Sequence, residues 1–100
     1  MPQFLLTYVG GSQPATPEEG EAHRARYMDW IAGLGSAAIV PQQPLKATEM
    51  LGDASVTSPI MGYSIIEADD ADAARAIARS CPFLEMDKAA MQVSELMTMG

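Results

Sequence analysis

Gln3-Phe4-Leu5-Leu6-Thr7-Tyr8-Val9 carries apolar side chains on both of its faces. Side chains of an extended chain alternate sides, so Phe4, Leu6 and Tyr8 point one way and Leu5, Thr7 and Val9 the other. The β-branched and aromatic content predicts a strand. A strand backed by helices on one side and water on the other carries polar residues on its wet face. This one does not, so the sheet it belongs to is expected to be covered twice.

Downstream, Gly10 to Ala15 reads as a loop. Thr16-Pro17-Glu18-Glu19 then gives a strong helix start: Thr16 caps, Pro17 suits the first helical position, and Glu19 completes a capping box. The helix is expected to reach Leu34, with Gly33 and Gly35 as stop signals. Ser36 to Val40 predicts a second strand, ended by Pro41-Gln42-Gln43-Pro44. Lys46 to Met50 and Ala54 to Thr57 suggest a short hairpin or irregular excursion around Gly52-Asp53. Gly62 to Glu67 predicts a central strand. Asp69 or Asp70 caps a second helix running to about Ser80, with Ala73, Ala74, Ile77, Ala78 and Cys81 on its apolar stripe and Asp72, Arg75 and Arg79 on the wet side. Pro82 forces an exit, Phe83 to Lys88 reads as a loop, and Ala90 to Met97 is the last strand.

The order strand, helix, strand, strand, helix, strand is that of the split βαβ, or ferredoxin-like, plan within the α+β class: one domain with a four-stranded antiparallel sheet and two helices on one face. Two helices cannot cover both sides of that sheet. A second subunit packing on the same face is the simplest cover, so a homodimer is expected. Phe4, Leu6, Ile39, Ile65 and Val93 are the expected core residues of the strands, with no particular face assigned to each.

Composition narrows the function classes. Thirteen acidic against six basic residues leave a net charge of −7, which repels phosphate backbones and anionic membrane surfaces, so neither nucleic acid nor membrane is an expected partner. No apolar run is long enough to span a bilayer. The start Met1-Pro2-Gln3-Phe4 lacks a signal-peptide pattern, and the single Cys81 fits a reducing cytoplasm. Gly10-Gly11 is not followed by the glycines and lysine of a phosphate loop. One histidine and one cysteine make the common zinc sites improbable, and no cofactor or metal is expected. The methionines, Met86, Met91, Met97 and Met99 among them, read as adaptable packing.

The lone histidine, His23, is the candidate site. At about 100° per residue, Glu19, His23, Tyr27, Trp30 and Leu34 share one stripe of the first helix, with Gly20 and Ile31 at its edge. Asp29, Arg24 and Met28 point away. Glu19, one turn earlier, is therefore the better local carboxylate partner for His23. A histidine on such a stripe is either a core imidazole bonded to a backbone carbonyl or a proton donor and acceptor at the mouth of a cleft. Tyr27 and Trp30 are more often core than ligand platform, and Cys81, at the negative end of a helix dipole, reads as a core thiol.

These pieces together resemble the YCII-like family of the dimeric α+β barrel group. The resemblance rests on Gln3 to Val9, the helix around His23 ending at Gly33-Leu34-Gly35, Ile39 to Leu45, Gly62 to Asp70, and the Ala-rich helix ending in Cys81-Pro82-Phe83. It implies a ferredoxin-like subunit that dimerises through its sheet. It also implies an acid/base couple: a histidine on the first helix, matched by His23, and an aspartate before a proline after the second. Here that aspartate is Cys81. Some relatives carry Asp-Gly-Pro-Phe before the third strand, where this chain has Thr57-Ser58-Pro59-Ile60.

Two functional readings follow. One is a small cytoplasmic enzyme using His23 as general acid/base on a small molecule, with Glu19, Tyr27, Trp30 and Cys81 as candidate binding residues. The other is a non-catalytic dimer that binds a small molecule or serves assembly.

Overall fold

A computed structural model describes residues 1–11, 15–53 and 60–97. The elements run β1 (Gln3–Gly10), α1 (Pro17–Leu34), β2 (Ala38–Pro44), β3 (Ile60–Glu67), α2 (Ala71–Arg79) and β4 (Ala89–Glu95). Short 3₁₀ turns at Gly35–Ala37 and Pro82–Glu85 follow the two helices. The strands form one sheet in the order β2-β3-β1-β4, with every pair antiparallel. This is the split βαβ arrangement.

The helix starts follow the local chemistry. The Thr16 side chain accepts a hydrogen bond from the Glu19 N–H, and the Asp70 side chain accepts one from Ala73. The Glu19 carboxylate reaches back to the Ala15 N–H at 3.1 Å, one residue beyond the usual capping-box partner.

Inward-facing Phe4, Leu6 and Ile66 are buried against Ala68, Ala74 and Ala78. Methyl-sized side chains on α2 let that helix sit close to the sheet. Val93 and Met91 of β4, with Trp30 and Leu34 of α1, complete the main core as half-buried neighbours. A second cluster joins Tyr8, Tyr27 and Cys81, packed by Phe83 and Ile31.

Three expectations need correction. The second strand begins at Ala38, because the chain makes a further tight turn after Gly35, whose φ is +56°. It then runs through Pro41 to Pro44 rather than stopping there. As an edge strand it pairs with β3 alone, and its register shifts between Ala38 and Val40 and again between Val40 and Gln43, so the missing proline N–H groups are tolerated. Ile39 is 44% exposed, because it falls at the register shift between Ala38 and Val40 on the edge strand, where it has no partner on β3. No strand forms over 46–50. Ala54 to Thr57, Thr57-Ser58-Pro59, the middle of the loop between Gly10 and Ala15, and Met99 lie outside the described residues.

The other side of the sheet carries Leu5, Val9, Tyr63 and Ile65, all half-buried, with Leu5 opposite Ile65 and Thr7 opposite Tyr63. Both helices pack on the opposite side, so this chain leaves that face open. Ile65 therefore belongs to the open face, not to the helix-backed core. No helix among the described residues is long and apolar enough to cross a membrane.

Candidate active cleft

A cleft of about 840 Å³ opens between the first turns of α1 and the end of the sheet where β1 finishes and β3 begins. The helix contributes His23, Arg24 and Tyr27, the sheet contributes Tyr8 and Gly62, and the turn after α2 contributes Phe83. Gly62 belongs here for steric reasons. A Cβ on it would lie 2.7 Å from the Gln43 carbonyl oxygen, so only glycine lets β2 approach β3 at this end.

His23 and Tyr27 are one helical turn apart, which places them on one face about 5–6 Å apart at Cβ. Tyr27 is 7% exposed and His23 is half-buried. Among the described residues, no hydrogen bond or ion pair involves the side chain of His23 or of Arg24. The expected bond between His23 and Glu19 does not form, because the Glu19 carboxylate is turned back onto the Ala15 N–H. Glu19 does not line the cleft. Arg24 and Met28, expected to point away, do line it while remaining exposed: the cleft is wide enough to include the flank of the stripe.

Trp30 is also outside the cleft. Its Nε1 donates to Ser80 Oγ at 2.8 Å, tying α1 to the end of α2, and its ring packs 5.6 Å from that of Tyr27. Cys81 is 2% exposed behind Tyr8 and Tyr27. Burial, with the Glu85 carboxylate nearby, pushes its thiol up to about 11, so it is protonated at neutral pH and offers no counter-charge to His23. An exposed ion pair between Arg26 and Glu85 at 3.0 Å links α1 to the turn that carries Phe83.

At the floor of the cleft lies a hydroxyl chain. Tyr27 Oη donates to Tyr8 Oη at 2.5 Å, Tyr8 Oη lies 2.5 Å from Ser64 Oγ, and Ser64 Oγ donates to the Pro41 carbonyl at 2.7 Å. A carbonyl only accepts, so Ser64 spends its proton on Pro41. Tyr8 must then donate to Ser64, and Tyr27 to Tyr8. Burial raises both phenols above their ordinary titration range and keeps them neutral.

Tyr8 and Ser64 were missed as site residues in the sequence. Ser64 does carry a signal, since it is a polar residue at the inward parity of β3, between Gly62 and Ile66. What the pattern lacked was register: Leu6 opposes Ser64 and Tyr8 opposes Gly62, so Tyr8 and Ser64 are diagonal neighbours. Among the described residues no cluster of His, Cys, Asp and Glu could hold a metal ion.

A family model of the YCII-related domain matches residues 4–97. The chain belongs to the YCII-related family. Among solved structures, this YCII-related chain is similar to the 5-chloro-2-hydroxyhydroquinone dehydrochlorinase of Burkholderia phenoliruptrix in complex with 2,5-dihydroxybenzoquinone. The TM-score is 0.56 at 15% identity, over 90% of each chain, a likeness of fold. A search of the curated proteins found no match.

Proposed function

We propose that the chain is a small-molecule enzyme in which His23 moves a proton to or from a compact substrate held between α1 and the sheet. The observation that carries this reading is the unengaged imidazole on the cleft wall. Its ring nitrogens are committed to no carbonyl or carboxylate among the described residues, which leaves them available to a ligand. The cleft has ample room for a small molecule, and a neighbour of the same fold holding a dihydroxybenzoquinone supports a ring compound as substrate. Tyr27 and Tyr8 contribute to binding, whereas Glu19, Trp30 and Cys81 support the walls.

The second reading, a binding dimer without turnover, is favoured by Cys81: a protonated thiol stands where the family resemblance calls for an aspartate, and nothing described orients His23. In either reading we propose a homodimer through the open face of Leu5, Val9, Tyr63 and Ile65, in a reducing, cytoplasmic setting that suits the free Cys81 thiol.

Proton transfer can be sought without knowing the substrate. Cyclic enols and hydroxylated ring ketones are incubated with the protein in D₂O, and loss of their C–H signals is followed by NMR. The wild type should catalyse exchange on at least one compound, and His23→Ala should slow it by about 100-fold or more while binding persists. Exchange that survives His23→Ala would sink the assignment. Binding with no exchange by the wild type would favour the second reading.

A further inference from the structure

The hydroxyl chain fixes the hydrogen-bonding character of the cleft floor. Three hydroxyls make three bonds that end on a carbonyl, so each of the three protons is spent along the chain. Tyr27, at the cleft end, has turned its single proton inward to Tyr8. A phenol oxygen in that state has only lone pairs left to offer.

We propose that Tyr27 is a specificity-determining acceptor, and that the cleft selects ligands presenting a protonated hydroxyl or N–H to it over ligands presenting a carbonyl, ether or oxyanion. The inference rests on the cleft being the ligand site. A carbonyl placed at this point would face lone pair against lone pair in a largely buried setting, and would forfeit the bonds it made to water. Reversing the chain to welcome it would require Ser64 to give up Pro41, so the penalty for the wrong group is shared by all three hydroxyls. Sites that match buried polar groups in this way discriminate far better than apolar pockets do. The fold thereby sets the preference from a distance: the Pro41 carbonyl on edge strand β2 decides what Tyr27 on α1 can bind.

Arg24 has no ion-pair partner among the described residues and gives a carboxylated probe a counter-charge at the mouth, with Glu21 the acidic residue beside it on the lining. The test compares 4-hydroxybenzoate, which can donate from its para position, with 4-formylbenzoate, which can only accept there. Calorimetric titration at pH 7 should give the wild type at least a tenfold preference for the hydroxy compound. Tyr27→Phe should bring the ratio close to one. Ser64→Ala contacts no ligand but removes the acceptor of the Tyr8 proton. Tyr8 is then free to donate to Tyr27, which turns the Tyr27 proton into the cleft, so the ratio should move several-fold toward the aldehyde. A wild-type ratio near one, a ratio that survives Tyr27→Phe, or an unchanged ratio in Ser64→Ala should Tyr27→Phe not fold, overturns the proposal. Equal binding of both probes defeats the donor rule and leaves His23 chemistry standing. Binding of neither defeats the rule as well, and the exchange assay decides separately on His23.

Discussion

Removing the Tyr8 hydroxyl should destabilise the protein more than removing that of Tyr27, although both substitutions are Tyr→Phe on packed rings. Tyr8 sits mid-chain: it donates to Ser64 and accepts from Tyr27, each over 2.5 Å. Tyr8→Phe therefore loses two hydrogen bonds and leaves the Tyr27 proton to turn into the cleft. At about 0.5–1.5 kcal/mol for each bond, the expected loss is about 2 kcal/mol. Tyr27→Phe removes the first donor of the chain. Tyr8 and Ser64 keep their acceptors, no proton is orphaned, and the expected loss is about 1 kcal/mol. The double variant should cost no more than Tyr8→Phe alone, because the Tyr27–Tyr8 bond is already lost in either single variant, giving a coupling of roughly 1 kcal/mol. Urea unfolding of the four proteins at one fixed protein concentration reads this directly. Additive losses, or Tyr27→Phe costing as much as Tyr8→Phe, would refute the one-way chain.

Stability should fall as pH rises from about 9 toward 11. The unfolded Cys81 thiol ionises near its ordinary 9.0 while the folded thiol holds its proton to about 11, so unfolding releases a proton in that window and none at pH 7. The loss from this group is roughly 2–3 kcal/mol, with Tyr8 and Tyr27 adding in the same direction, and Cys81→Ala should flatten the slope. An identical slope in the variant would assign the effect elsewhere. Gly62→Ala should cost about 1–3 kcal/mol, since its Cβ would meet the Gln43 carbonyl oxygen at 2.7 Å and Pro44 Cα at 3.1 Å, backbone atoms that cannot swing aside. Faster hydrogen exchange at the Leu45 N–H, which bonds the Met61 carbonyl, should accompany it, and unaltered stability and exchange would contradict the steric argument. Sedimentation at micromolar concentration should give a dimer, and Ile65→Asp should give a monomer; a monomeric wild type would remove the case for two-sided burial.

Much of the architecture was legible because it rests on local chemistry. Thr16-Pro17-Glu18-Glu19 placed the start of α1, and the pair Asp69-Asp70 that of α2, where Asp70 proves to be the cap, since a cap is a contact within one turn. The alternation of Phe4, Leu6 and Tyr8 against Leu5, Thr7 and Val9 identified a sheet with two apolar faces. The limits of β2 were less legible: prolines argue against a strand unless it lies at an edge, and edge position belongs to the whole sheet. The same reason put Ile39 outside the core.

The sequence by itself determined the element order, the α+β class and the stripe that carries His23 and Tyr27, because helical and strand periodicities act between near neighbours. Only the tertiary structure decided what surrounds that stripe. It turned Glu19 back onto Ala15 and away from His23, sent Trp30 to Ser80, sealed Cys81 behind two tyrosines, and widened the cleft to admit Arg24. Above all it joined Tyr27, Tyr8, Ser64 and the Pro41 carbonyl, on α1, β1, β3 and β2. Those bonds span up to 56 positions of sequence and depend on strand order and register, which no local pattern encodes.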